Sequence, residues 1–213
     1  MSLIVGGGFE FETDHGRSEY NFPLLVEYNF TERLRATLEP TVAYIDSKSP
    51  DVRSVGGWGD LETSMQWEFL RERRYRPALT LDGIIKWPTA TKPDLGDPGR
   101  DYSLGVIASK DFVYLDIDLG LHYTSVGDSE AHDNFELTVA GEWPLPWNHR
   151  LSVLMESATT FETGRSGRTA TEGTAGLAWR VNSFLKLEGG GTVRSDGTWQ
   201  VVFAWEWNFG GED

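Results

Sequence analysis

The sequence predicts an all-β fold: a transmembrane, antiparallel, up-and-down β-barrel of about 12 strands, built as a single domain over residues 1–213. Three observations lead there. Apolar residues recur at every second position over stretches of roughly 10 residues, which is strand periodicity and not the 3.6-residue spacing of a helix. The chain holds 9 Trp, 11 Phe and 7 Tyr, yet its mean hydropathy is −0.38, so the apolar groups alternate with polar ones instead of filling a core. Tight and longer connections alternate along the chain, as they do in bacterial membrane barrels with short turns on one rim and loops on the other.

Taken in order, the first strand is expected over 2–13. Its Gly6-Gly7-Gly8 run fits wall curvature better than a phosphate cradle, because no helix follows it. The second, 18–30, contains Pro23, and Thr31-Glu32-Arg33 turns it into the third, 33–46. There Leu34, Ala36, Leu38, Val42 and Tyr44 share one face against Arg35, Thr37, Glu39 and Thr41. The fourth, 58–70, sets Leu61, Thr63, Met65, Trp67 and Phe69 against Glu62, Ser64, Gln66 and Glu68. A tight turn at Arg71 to Arg74 leads into the fifth, 75–87. The sixth and seventh, 101–111 and 112–124, follow a longer segment from Pro88 to Arg100; the seventh sets Val113, Leu115, Ile117, Leu119, Leu121 and Tyr123 against Asp116, Asp118 and His122. The eighth, 133–143, opposes Phe135, Leu137, Val139 and Trp143 to Glu136, Thr138 and Glu142. The ninth and tenth span 149–161 and 169–181; Asn182-Ser183 turns into the eleventh, 184–194, and the twelfth covers 197–209. In that last strand Trp199, Val201, Phe203, Trp205, Trp207 and Phe209 form one face, against Gln200, Ala204, Glu206 and Asn208.

Aromatics gather where the apolar stripes end: Phe30, Phe69, Tyr75, Phe112, Phe184 and Phe209 near the short turns, and Tyr20, Trp87, Tyr102, Tyr123, Phe135 and Trp199 near the loops. Those positions suit two interfacial girdles. A soluble sandwich or lipocalin-like barrel would alternate too, but it would have to pack these Trp and Phe side chains inward.

Composition removes several classes. No apolar run approaches the roughly 20 residues that a membrane helix needs. Cysteine is absent, so neither a disulfide framework nor a thiolate metal site forms. The formal net charge of −14 opposes binding to nucleic acid, whose phosphates need a basic face. Met1-Ser2-Leu3 runs straight into patterned sequence with no secretion signal, so an exported protein would be read in its mature form.

An ordered series of short motifs runs through the middle of the chain: Gly57-Trp58-Gly59-Asp60-Leu61, Tyr75-Arg76-Pro77-Ala78-Leu79, Lys86-Trp87-Pro88-Thr89, Leu95-Gly96, Asp101-Tyr102-Ser103-Leu104 and Ala108-Ser109-Lys110-Asp111-Phe112. Over residues 57–124 this series resembles the outer-membrane channel family named after the meta-pathway of phenol degradation, the MetA-like type. The resemblance implies a twelve-stranded barrel of the bacterial outer membrane that passively admits hydrophobic or aromatic compounds. Trp87, Ala90 and the short loops depart from the family pattern, which argues against a constriction built from long loops. The chain also runs past Phe209 with Gly210-Gly211-Glu212-Asp213, whereas barrels handled by the assembly machinery commonly end on the aromatic.

The charged face is assigned to the lumen, with Arg35, Glu39, Glu62, Glu68, Arg76, Asp82, Lys86, Asp116, Asp118, Glu136, Arg180 and Glu206 as pore-lining residues. Carboxylates outnumber cations there. Cross-strand ion pairs that stiffen the wall are the plainer expectation; a negative pore that disfavours anions is the functional one. Around the Glu32 turn, residue 24 falls opposite residue 40, which brings Pro23 and Pro40 onto neighbouring strands. Each proline removes a ladder donor, so the pair marks either a bulge or a lateral seam through which an apolar solute leaves the wall.

Loop carboxylates Asp46, Asp51, Asp94, Asp97, Asp128, Glu130 and Asp133 fit solvated charge, or divalent cations beside lipopolysaccharide, but show no EF-hand spacing. No cofactor, metal site or catalytic residue is assigned. His15, His132 and His149 lie in connections and His122 in a strand, and no Gly-x-Ser-x-Gly elbow occurs, which leaves a lipid-acting barrel enzyme and a closed structural barrel as alternatives. Expected partners are membrane lipid, lipopolysaccharide, the assembly machinery during insertion and a small solute.

Overall fold

The two-residue periodicity becomes twelve strands in the computed structural model, each hydrogen-bonded antiparallel to its sequence neighbours, with β1 closing onto β12. The structure describes residues 1–14, 17–47, 54–128, 131–164 and 167–210, and only the backbone of Asp14 and Ser47. His15, Asp51, Glu130 and the tail after Gly210 lie outside the described residues. The strands are β1 (Ser2–Asp14), β2 (Arg17–Thr31), β3 (Leu34–Ser47), β4 (Val55–Leu70), β5 (Ala78–Trp87), β6 (Asp101–Phe112), β7 (Leu115–Ser125), β8 (Asn134–Leu145), β9 (Asn148–Glu162), β10 (Thr169–Arg180), β11 (Leu185–Arg194) and β12 (Trp199–Asn208). A 3-10 turn, Pro93–Leu95, lies in the β5–β6 connection.

Closure removes every sheet edge, so each strand pairs with a neighbour on both sides, the arrangement that lets a sheet cross hydrocarbon. Side chains divide by parity. In β7, Leu119, Leu121 and Tyr123 point outward and are exposed, as are Phe203, Trp205 and Trp207 in β12, while Asp116, Asp118 and His122 take the other face. Among the described residues no large side chain is fully buried. The barrel has its apolar surface outside, the inverse of a soluble fold, and at about 25 cal/mol per Å² that surface is stable only against lipid.

β4 starts three residues earlier than expected, at Val55, whereas β5 and β7 each start three residues later. Arg73 and Arg76 form an isolated backbone bridge, and Pro77 has no N–H to offer a ladder; β5 therefore begins at Ala78. Arg76 is thereby corrected from a pore-lining position to a turn on the rim, where its Nη2 donates to Arg71 O at 3.2 Å. Val113 and Tyr114 form the β6–β7 turn instead of opening β7, and both are exposed. The rims are also less uniform than short turns against loops. On the loop side, β11 and β12 are joined by Ser195 to Thr198, where Gly197 adopts φ 91°, and β1 and β2 by residues 15–16 alone.

Candidate functional site

Alternation sends the polar residues of every strand into one lumen, and their chemistry changes from rim to rim. Near the short turns, Arg35 on β3 donates from Nε to Gln66 Oε1 on β4 at 2.7 Å, with a second bond from Nη2 to the same oxygen, and lies 3.8 Å from Glu27 on β2. Lys186 and Glu188 on β11 pair at 2.6 Å. Glu206 on β12 lies within electrostatic reach of Lys186, Glu188, Glu27 and Arg35, so this charged belt runs from β11 through β12 to β3. Arg180 ends β10 beside it, lining a cavity of about 140 Å³ with Lys186 and Glu206.

Two cavities follow one another along the lumen. One of about 240 Å³ opens at the turn rim between Glu32, Arg33, Arg35, Gln66 and Glu68. The other, about 230 Å³, lies deeper among Asp118, Gly120, His122 and Thr138. Arg35, Gln66, Thr80 and Ser109 line both, which places the Arg35–Gln66 bridge between them.

Further in, carboxylates gather without matching cations. Glu39 and Glu62 stand directly opposite one another on β3 and β4, and among the described residues neither has a hydrogen-bond or ion-pair partner. Lys86 opposes Glu62 on β5, but its ammonium is held by Asp97 and Asp101, each at 2.5 Å. Asp82 is 3% exposed, and its Oδ2 lies 3.1 Å from His122 Nε2. The imidazole reaches it by lying over Gly105, where any Cβ would collide with the ring. Asp82 Oδ1 and His122 Nδ1 have no partner among the described residues. Glu136 accepts from Thr138 and Thr160 at 3.3 and 3.4 Å. Asp116 and Asp118 share the lumen face of β7, and Glu68 sits 3.9 Å from Arg71 at the turn rim. The His122–Asp82 pair faces the lumen and not the outer wall, where a lipid substrate would lie.

The loop-side mouth is narrowed by the longer connection from Pro88 to Arg100, to which the sequence assigned no place in the lumen. Ala43 and Ile45, on the lumen face of β3, pack with Leu95 of the β5–β6 connection. Asp60 anchors that connection: its Oδ1 accepts from the Thr89 and Ala90 amides at 3.0 Å each, and its Oδ2 from the Asp97 amide at 2.9 Å. Thr91 N donates to Trp58 O at 2.9 Å, and Lys92 Nζ to Gly56 O at 2.9 Å. The approach needs glycine at two places. A Cβ on Gly57 would strike the Thr91 hydroxyl, and one on Gly96 would lie 2.6 Å from Asp60 Cγ. The departures from the family pattern argued against a constriction built from long loops; residues 88–97 nevertheless dock against the inner wall of β3 and β4.

Asp60 had no role in the sequence reading, nor did Arg194, which binds Glu12 at 2.7 Å and Glu172 at 3.1 Å and ties β1, β10 and β11 together near the loops. Its parity with Lys186 and Glu188 was the available signal. On the same rim the Asp133 carboxyl is held below the usual carboxylate range by the Tyr123 hydroxyl and then by the Val126 amide.

The ladders are interrupted near Pro23 and Pro40. Between β2 and β3 the pairing passes from Pro23↔Thr41 to Val26↔Leu38, leaving Leu24 and Leu25 without ladder pairs to β3. Between β1 and β2 it jumps from Gly7↔Leu24 to Glu10↔Asn21, and between β3 and β4 the register shifts between Pro40 and Val42. The three irregularities adjoin across neighbouring strands. Pro23 faces inward, with its Cγ 3.3 Å from the position of a Cβ on Gly8.

No family model and no curated protein matches this chain. Solved structures do. A COG4313 outer membrane channel from Pseudomonas putida F1 superimposes with a TM-score of 0.76 at 12% identity, covering 98% of this chain and 95% of that one. The NanC porin gives 0.70 at 10% identity over 96% and 98%, and the KdgM porin in complex with disordered oligogalacturonate gives 0.65 at 9% over 96% and 99%. At such identities the likeness carries the closed-barrel fold of outer-membrane channels, and the chemistry of the lumen is this chain's own.

Proposed function

We propose that the chain is a channel of the bacterial outer membrane, through which small cationic or neutral solutes, including hydrophobic or aromatic compounds, diffuse passively. The observation that carries the reading is the pair of contiguous cavities running inward from the turn rim, divided by the Arg35–Gln66 bridge; a closed structural barrel would fill that volume with side chains. The fold likeness to solved channels supports the reading. The opposed Glu39 and Glu62, neither in an ion pair among the described residues, support that charge preference. The KdgM structure holds oligogalacturonate, a polyanion that these carboxylates would repel.

The test is single-channel conductance in a planar bilayer under a salt gradient. Discrete, cation-preferring steps are expected, and silence from inserted, folded protein would sink the channel reading. A unit charge close to a permeating ion is worth about 1 kcal/mol in water. Glu39→Lys with Glu62→Lys is therefore expected to shift the reversal potential toward anions, and an unchanged potential would remove these carboxylates from the selectivity path.

The resemblance to the phenol meta-pathway channels and the interrupted ladders support a second element of the proposal, an exit through the wall at the seam of Pro23 and Pro40. Restoring the two amide donors with Pro23→Val and Pro40→Val is expected to close the ladder. Uptake of an aromatic hydrocarbon into proteoliposomes should fall while ion conductance persists. Equal uptake by parent and variant would make the prolines a simple bend in the wall.

A further inference from the structure

We propose that the short-turn rim around Arg73 to Arg76 is a binding surface for the phosphate headgroups of anionic glycerophospholipids. The inference rests on the membrane-spanning placement of the barrel and is independent of its transport role. The protein carries a net charge of −14, and its carboxylates line the lumen and the loops. Against that background the β2–β3 and β4–β5 turns hold Arg33, Arg71, Arg73, Arg74 and Arg76.

The acidic groups within this patch are already committed. Glu32 binds Arg71 at 2.7 Å. Glu72 binds the Lys110 ammonium and accepts from the Asp111 amide at 3.4 Å. The hydrogen bond from Lys110 holds the Glu72 carboxyl below its usual range, so it remains ionised and paired. Among the described residues no carboxylate lies within ion-pair distance of Arg33, Arg73, Arg74 or Arg76.

The turn geometry points the same way. Arg73 N donates to Arg76 O at 2.8 Å and Arg76 N to Arg73 O at 3.1 Å, which closes a tight turn with Arg74 and Tyr75 at its tip. Arg73 and Arg76 are therefore a directly opposed pair of like charges, an arrangement that costs stability unless an anion lies between them. A phosphate suits that place, because two guanidinium groups can each give it paired N–H bonds.

The ligand is a lipid because of what surrounds the arginines. Arg74 lies over the Tyr75 ring at 5.1 Å, and Tyr75 is 86% exposed. Tyr114 and Trp147 are exposed on the same rim, and the apolar wall begins immediately beside it at Phe69 and Phe112. An amphipathic aromatic belt with arginines at its edge matches a molecule whose phosphate adjoins acyl chains.

The folded barrel in detergent, titrated with phosphatidylglycerol or phosphatidylcholine and followed by native mass spectrometry, tests the proposal. Phosphatidylglycerol should be retained preferentially. The exposed-turn variant Arg73→Ser/Arg74→Ser/Arg76→Ser should lose roughly fivefold in that preference for each arginine removed. Arg17→Ser on the opposite rim should leave the preference unchanged, and the heat-induced electrophoretic shift verifies folding of each protein. Equal retention of the two lipids by the parent, or an unaltered preference in the triple variant, would overturn the proposal. Displacement of the lipid by soluble glycerol phosphate at equal concentration would also overturn it, in favour of a free-phosphate site.

Discussion

Asp60→Ala is expected to raise single-channel conductance and to make the open level noisy, because it releases the segment that narrows the loop-side mouth. One carboxylate holds three backbone amides, those of Thr89, Ala90 and Asp97. Hydrogen bonds to a charged group are worth about 1.5–3 kcal/mol each. Other contacts persist in the variant, from Thr91 to Trp58 and from Lys92 to Gly56, and Leu95 keeps its packing on Ala43 and Ile45. Even if these offset much of the loss, a net 3 kcal/mol changes the ratio of docked to released forms by about a hundredfold. Asp60→Asn should fall between parent and alanine: its amide oxygen still accepts from Thr89 and Ala90, while its NH₂ faces the Asp97 amide and cannot accept. Conductance that is unchanged in both variants, with folding verified, would show that residues 88–97 do not limit the pore.

That anchor also marks where the sequence stops being legible. The strands could be read because their signal is local. In β12 the alternation of six apolar residues from Trp199 to Phe209 with Gln200, Ala204, Glu206 and Asn208 fixes both strand and facing, since a slip of one residue would put the tryptophans in the lumen. The Asp60 bonds reach across 29, 30 and 37 residues, and nothing in Pro88 to Arg100 distinguishes a segment docked inward from one in solvent. Arg76 was misplaced for a related reason. Its parity matches Asp82 and Lys86, and only the backbone bridge to Arg73 removes it from the wall. Charged lumen positions could be proposed from parity, but their pairing could not. Lys86 faces Glu62 in register, yet is taken by Asp97 and Asp101 because the β5–β6 connection brings Asp97 back to it.

The facing of the wall makes the other large prediction, which concerns Leu121. This side chain is 55% exposed on the outer face of β7, opposite Val106 on β6 and Leu137 on β8. Both neighbours are exposed and apolar, so the three form part of an unbroken outer band. Leu121→Arg puts a guanidinium into that band near the middle of its strand. In a bilayer the cost is about 2–4 kcal/mol at the midplane, since the charge must snorkel or draw water to itself. Thr80→Gln on the lumen face of β5 serves as the control, because a polar change facing a water-filled cavity costs roughly 0.5 kcal/mol or less. Denaturant unfolding of the barrel in phosphatidylcholine vesicles should therefore separate the two variants by at least about 1.5 kcal/mol. If the same wall faced water, Leu121→Arg would remove apolar surface from solvent and leave stability level or higher. Equal stability of both variants would thus contradict a lipid-facing exterior, and with it the basis for reading the acidic side as a lumen.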